Sequence, residues 1–391
     1  MEDLRKKQPI RNPLRNQHPH NMYDMIMDTP VALERVLNEE AENIKSIAKV
    51  LSSRKKVYLI GIGTSLHAAQ NAHFYLRNIA HVDCEAINSF EFISNPPFYL
   101  NKDDCAMIIF SHSGIKTFSY EAYMKNKELG IYTVLITSTE SVIDQPMDAI
   151  IRTSKIEQSA AFTISHSCST LCSLLLSVEI AKNRGIAIDN QAKLEEQIKQ
   201  LPQIFRGINE KSTEDIKKWC DFANTRTLNY FIAYGANESN ASEVSLKMQE
   251  ATYTFYQGYN LEFYLHGPFV ATNKDTCTTF VVTERTDKTK RAVERSIKAL
   301  NAVLFVNGKG AVIIPESDTE SISQITKDHA DNLFILRSPS NILEPVSVLT
   351  NLYILQSMTY WMAVLKGTNP DSFKRQIPPN DTAFIKAGLI L

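Results

Sequence analysis

The feature that most constrains the fold of this chain is that the sequence repeats itself. YLIGIGTS begins at Tyr58 and YFIAYGANES at Tyr230, 172 positions later. Phe90-Glu91-Phe92 returns as Leu261-Glu262-Phe263 at a spacing of 171, and CAMIIFSHSG from Cys105 as CTTFVVTERT from Cys277 at 172. VLITSTES from Val134 is matched to VLFVNGKG from Val303 at 169. Four landmarks in one order at nearly constant spacing predict two copies of one structural unit. Helical spacing of apolar residues over 31–51 precedes the first copy. Within that copy, short apolar runs alternate with amphipathic stretches. Strands are expected at 56–62, CEAI, 105–111 and TVLITS, and helices at 65–79, 116–129 (ending at Gly130) and 167–181. This βαβα alternation predicts an α/β chain of two doubly wound domains, each a parallel sheet covered by helices on both faces. The expected boundaries are an N-terminal arm 1–24, a first domain 25–185, a polar helical linker 186–215, a second domain 216–366 and a C-terminal tail 367–391.

Composition narrows the possible ligands. Lys+Arg total 42 against Asp+Glu 43, a net charge of −1, so no global field draws the chain to nucleic acid or an anionic membrane. An anionic ligand must then be held by local geometry. The six cysteines (Cys84, Cys105, Cys168, Cys172, Cys220 and Cys277) form no CxxC pair. They read as reduced, buried thiols of a cytoplasmic protein. No ligand cluster has metal spacing, so neither metal nor cofactor is expected. The N-terminus is basic and contains proline but no apolar core, which fits neither a signal peptide nor an anchor. No run of 18 uncharged apolar residues suggests a membrane span. The first 20 or so residues are expected to form an arm on the surface or on a neighbouring subunit.

In open parallel sheets, ligands bind at the carboxyl ends of the strands. Two such ends in the first half are rich in hydroxyls: Gly61-Ile62-Gly63-Thr64-Ser65 and Ser111-His112-Ser113-Gly114, each a strand running into a helix. Glycine admits an anion close to the backbone, helix-terminal amides point at it, and hydroxyls add donors. Thr163-Ile164-Ser165-His166-Ser167 offers a third start of this kind. Each piece also reads as a plain tight turn or an ordinary helix cap. In the second half, Glu243, Lys247 and Glu250 share one helix face, either as a solvated charge pair or as proton-transfer groups. Sixteen residues beyond Glu250 stands His266, before Gly-Pro, structural or acid–base.

GIGTS, SHSG, EVSLKMQE and YLHGP, in this order and in a duplicated frame, resemble the double SIS (sugar isomerase) domain family. The likeness runs from about residue 25 to the C-terminus and is nearest to the isomerase half of glucosamine-6-phosphate synthases (glutamine–fructose-6-phosphate amidotransferases). It implies tandem SIS domains with a substrate phosphate on Thr64, Ser65, Ser111, His112 and Ser113. It also implies a C1/C2 proton shuttle at Glu250 beside Lys247, and a ring-opening histidine at His266 that reaches in from a partner, hence a homodimer with a composite active site. Lys386 stands five residues from the end, where the family has a lysine able to form an imine with the ketose. SHSGIKT departs from the family by placing Ile115 and Lys116 where the synthases have Glu and Thr, so Lys116 or Thr117 is expected to take that phosphate contact. Ser165 and Ser167 complete the expected set. The tail is longer than the family's before Lys386, so a docking role for it stands beside the catalytic one. The chain begins Met-Glu-Asp, without an N-terminal cysteine nucleophile, so no glutaminase is expected.

The leading expectation is interconversion of glucosamine 6-phosphate and fructose 6-phosphate with free ammonia. FEFISNPP and the NPD of the tail also resemble fructosamine-6-phosphate deglycases, which cleave substrates such as fructoselysine 6-phosphate. A non-catalytic sugar-phosphate sensor is the alternative outside enzymes. The expected partners are a phosphorylated hexose or amino sugar and a second copy of the chain, with no nucleic acid and no membrane.

Overall fold

A computed structural model describes residues 6–144 and 147–389. The chain divides into two compact units, 1–14 with 27–193 and 374–391, and 15–26 with 194–373. Each unit holds a sheet of five parallel strands.

In the first unit the strands are β1 (Lys56–Gly61), β2 (Asp83–Asn88), β3 (Cys105–Phe110), β4 (Tyr132–Thr137) and β5 (Ala149–Arg152), in the order β2-β1-β3-β4-β5. Every residue of β3 is buried, as a continuous apolar run at the centre of a covered sheet should be. The edge strand β2 alternates exposed and buried at its start. After α1 (Asn21–Glu39), which crosses from one unit to the other, the helices are α2 (Ala41–Leu51), α3 (Thr64–Asn78), α4 (Ser89–Ser94), α5 (Thr117–Leu129) and α6 (Ile164–Asn183). Helices α2, α3 and α6 pack together on one face, α4 and α5 on the other. Alternation along the strands sends Tyr58, Ile60, Met107 and Ile109 to the second face, against Phe92, Ala122 and Tyr123. Helix α6 is long and apolar enough to cross a membrane by length and hydropathy, and 83% of its apolar window is buried inside the protein.

The second unit repeats the plan. It begins with α7 (Gln191–Asn224), followed by β6 (Leu228–Ala233), α8 (Glu238–Thr252), β7 (Tyr256–Asn260), α9 (Leu261–Leu265) and β8 (Thr276–Val281). Then come α10 (Lys290–Phe305), β9 (Lys309–Pro315), α11 (Thr319–Ser323), β10 (Leu333–Ser338) and α12 (Glu344–Lys366); α13 (Ala383–Lys386) follows in the tail. The strand order β7-β6-β8-β9-β10 is that of the first sheet, strand for strand. The repeat extends to caps: Asn88 accepts the Phe90 amide at the start of α4, and Asn260 accepts those of Glu262 and Phe263 at the start of α9.

Three expectations need adjustment. The fourth landmark of the repeat fails, because Val303 lies near the end of α10; the strand that answers β4 is β9, KGAVIIP. Apolar similarity alone cannot separate a helix end from a strand. The segment 186–215 is mostly part of the 34-residue α7, whose buried Leu194, Ile198, Leu201, Phe205 and Ile208 make it a packed element rather than a bare connector. The helical pattern over 31–51 resolves into two helices meeting at Glu40. All six cysteines are free and buried.

Candidate active site

Strand order reverses direction around β1, so the β1–β3 crevice is where a doubly wound sheet accepts a ligand. A pocket lies there, lined by Thr64, Ser65 and Ala68 of α3, by Phe110, Ser111 and His112 at the end of β3, and by Phe162, Ser165, His166 and Ser169 at the start of α6. Five residues expected to bind phosphate are thus brought together. Ser113, Lys116, Thr117 and Ser167 are not in this lining: Lys116 is exposed at the cap position of α5, and Ser167 is buried in the first turn of α6.

In the pocket wall, Ser111 Oγ and His112 Nδ1 are buried without a hydrogen-bond partner among the described residues. The His112 tautomer follows from its neighbour. The Glu157 backbone N–H donates to Nε2 at 2.7 Å, so Nε2 is an acceptor and the ring proton sits on Nδ1. Burial, with Arg11 as a nearby cation, pushes the His112 pKa down to about 3. At neutral pH this ring is an uncharged donor. A buried donor left unmade costs about 1–3 kcal/mol, an expense a ligand can remove.

Glu157 was absent from the expected site. Its carboxylate is fully buried at the N-terminus of α6 and accepts from the amide and hydroxyl of Thr163 (2.9 and 3.1 Å) and of Ser165 (3.1 and 2.7 Å). Burial raises its pKa, and these hydrogen bonds oppose the rise. The Ser165 hydroxyl proton is therefore committed to Glu157. The available signal was a single carboxylate in the uncharged run IEQSAAFTIS ahead of a helix start.

In the second unit, α8 positions the charged cluster. Lys247 is buried, its ammonium hydrogen-bonded to Glu250 and 3.9 Å from Glu243. Spacings of three and four along a helix bring these groups onto one face. Glu243 is fully buried, and the Glu250 side chain keeps 20% exposure. A buried ammonium needs such partners to remain charged, and Glu250 is the carboxylate of the pair that meets solvent. The solvated-pair reading of Glu243 and Lys247 is thereby excluded.

His266 caps the C-terminus of α9 and is largely exposed, its Nδ1 2.7 Å from the Glu262 carbonyl oxygen. That acceptor fixes the proton on Nδ1 and leaves Nε2 as the open lone pair. Glu262 is held in turn by Arg295 through two hydrogen bonds, which keep its carboxyl below the usual range. Lys386 is exposed at the end of the short α13, in the first unit. Among the described residues no group of three or more His, Cys, Asp or Glu could hold a metal ion.

Residues 50–183 match the SIS domain family model. The chain is 25% identical over 359 residues to glutamine–fructose-6-phosphate aminotransferase [isomerizing] of Pyrobaculum aerophilum, across 90% of this chain and 56% of that protein. It spans about half the length of the curated relatives it matches. The C-terminal domain of glucosamine-fructose-6-phosphate aminotransferase from Francisella tularensis has the same fold, with a TM-score of 0.79 at 20% identity over 92% of this chain and 100% of that one. A glucosamine-6-phosphate deaminase from Thermotoga maritima also shares it, at 0.66 and 18% identity over 90% and 96%. The first unit thus carries a matched SIS domain around its sheet, the second sheet repeats its strand order, and the chain as a whole shares the fold of the C-terminal domain of that aminotransferase.

Proposed function

We propose that the protein is a sugar-phosphate isomerase/deaminase interconverting glucosamine 6-phosphate and fructose 6-phosphate with free ammonia. The observation that carries this reading is the buried Lys247 beside Glu250, because phosphate binding alone requires neither. Glu250 moves the proton between C1 and C2, and Lys247 holds it ionised and oriented. Ser111, the Nδ1–H of His112, Thr64 and Ser65 receive the phosphate as neutral donors. His266 assists ring opening through Nε2. Lys386 holds the ketose as an imine; in the deaminating direction water is consumed and ammonia leaves. The exposed His266 suits a homodimer in which it serves the other copy. Six buried free thiols are in keeping with a cytoplasmic enzyme.

The deciding experiment incubates the protein with glucosamine 6-phosphate and assays fructose 6-phosphate and ammonia. Absence of turnover together with release of lysine from fructoselysine 6-phosphate would replace this reading by a deglycase. Tight binding of fructose 6-phosphate with no turnover of either substrate would make the chain a sensor. Composite sites are tested by mixing two inactive variants, Glu250→Gln and His266→Asn. Recovered activity supports exchange of His266 between copies, and failure to recover removes it.

A further inference from the structure

The pocket at the end of β3 has an unexplained charge balance. Its lining holds hydroxyls, two histidines and two phenylalanines but no lysine or arginine, and Glu157 lies buried against it. A phosphate monoester would enter beside a carboxylate with no cation in the wall.

The missing cation sits on the N-terminal arm. Gln8 pairs with the backbone of Val142 in both directions, donating to its carbonyl at 2.9 Å and accepting its amide at 3.2 Å. The Asn12 amide donates to the Gln158 side chain at 2.6 Å. Between these anchors, the Arg11 guanidinium lies over the Phe162 ring, 5.3 Å from its centroid. Phe162 lines the pocket and meets the His112 ring edge-on at 5.2 Å. Partial burial lowers the pKa of Arg11, and the charge of Glu157 opposes that fall. A guanidinium on the aromatic wall of a pocket with an unpaired hydroxyl and an unpaired N–H forms a site suited to an anion. Glu157 is already saturated by four hydrogen bonds and does not need Arg11 as a ligand.

We propose that Arg11 is a phosphate-binding residue of this pocket: its guanidinium turns from the Phe162 ring onto the phosphate of the bound sugar, and the arm forms the lid of the site. The inference rests on the sugar-phosphate reading above.

The test is calorimetric titration of the full-length protein with fructose 6-phosphate and with inorganic phosphate, at two salt concentrations, for the unaltered chain, Arg11→Ala and Arg11→Lys. The expected result is a roughly 10- to 100-fold loss of affinity for both ligands in Arg11→Ala. Partial retention is expected in Arg11→Lys, with a weaker salt dependence in Arg11→Ala and an unchanged melting temperature of the free protein. Equal affinity in Arg11→Ala overturns the proposal while leaving the pocket's function standing. Failure of the unaltered chain to bind either ligand overturns both. Repeating the pair in Glu157→Gln separates a counter-ion from a ligand-binding group: the Arg11→Ala loss persists if Arg11 binds phosphate, and its disappearance there assigns Arg11 to Glu157 and rejects the proposal.

Discussion

The two units share a strand order and even a turn, yet end in opposite states. After β1 and after β6 the chain passes through a glycine of positive φ, Gly63 at 57° and Gly235 at 55°. A Cβ at Gly63 would meet nothing within 4 Å, whereas one at Gly235 would stand 2.8 Å from the Glu344 carboxylate. Glu344 accepts the Ala236 amide, so a side chain of the protein fills that cradle. Ladder register pairs Lys56 with Cys105 and Leu228 with Thr276, which makes Val282 the counterpart of Ser111. Val282 is an apolar core residue; Ser111 Oγ is buried and unpartnered. At this strand end the first unit therefore keeps an unpartnered hydroxyl where the second has an apolar side chain, and at the turn an open cradle where the second has a filled one. In the second unit the charged groups gather on α8, where buried Lys247 pairs with Glu250. On the proposed reading one copy of the fold binds and the other carries charge for proton transfer, a division that would arise from a handful of side chains on a common frame.

Substitutions can break this comparison. The largest effect is expected from Glu250→Gln, a loss of roughly 100- to 10,000-fold in turnover with fructose 6-phosphate affinity unchanged, read by steady-state kinetics and calorimetry. A matching loss of affinity would remove the division of labour between the units. Next are the paired glycines. Gly63→Ala incurs only the backbone penalty of its φ of 57° and ψ of −130°, about 1–3 kcal/mol, while Gly235→Ala adds to a positive-φ penalty the encounter with Glu344 and is expected to lose about 1–2 kcal/mol more in urea unfolding. Equal losses would deny that the second cradle is filled.

The titration of His112 comes third. Its pKa falls from an ordinary 6.5 to about 3 in the fold, so between these values the unfolded chain takes up a proton that the folded chain refuses. Its contribution is complete above pH 6.5 and is lost as pH falls toward 3, by up to about 1.4 kcal/mol per pH unit. Glu157, with its pKa raised, acts with the opposite sign over the window above its ordinary value. The comparison is therefore made as unaltered chain against His112→Gln, which should remove the slope. The smallest effect belongs to Ser111→Ala: affinity for fructose 6-phosphate falls about 10-fold or less, and stability stays level or rises because a buried unsatisfied hydroxyl is gone. A clear loss of stability would show that Ser111 is paired in the free protein.

Much of this was legible along the chain. The period of the repeat, the buried strand CAMIIF, the Gly130 stop of α5 and the one-face spacing of Glu243, Lys247 and Glu250 follow from local rules of pattern and reach. The hydroxyl-rich strand ends at Thr64–Ser65 and Ser111–His112 were visible as candidates, and the fold brings them to one pocket. The misplaced fourth landmark shows the limit of pattern, since an apolar run near Val303 resembles a strand until its packing as a helix is known.

What the sequence by itself determined was the frame: two doubly wound sheets, their strand ends, and the residue types standing there. Tertiary structure alone decided which donors are spent and which remain. Ser165 is spent on Glu157, and His112 acquires its tautomer from the amide of a residue 45 positions away. Lys247 is buried together with the two carboxylates that face it, Glu243 and Glu250, and Arg11 reaches a pocket that no spacing in the chain announces. The physical reason is range. Periodicity and capping act over a few residues, whereas desolvation and hydrogen-bond saturation depend on every group that folding brings into contact.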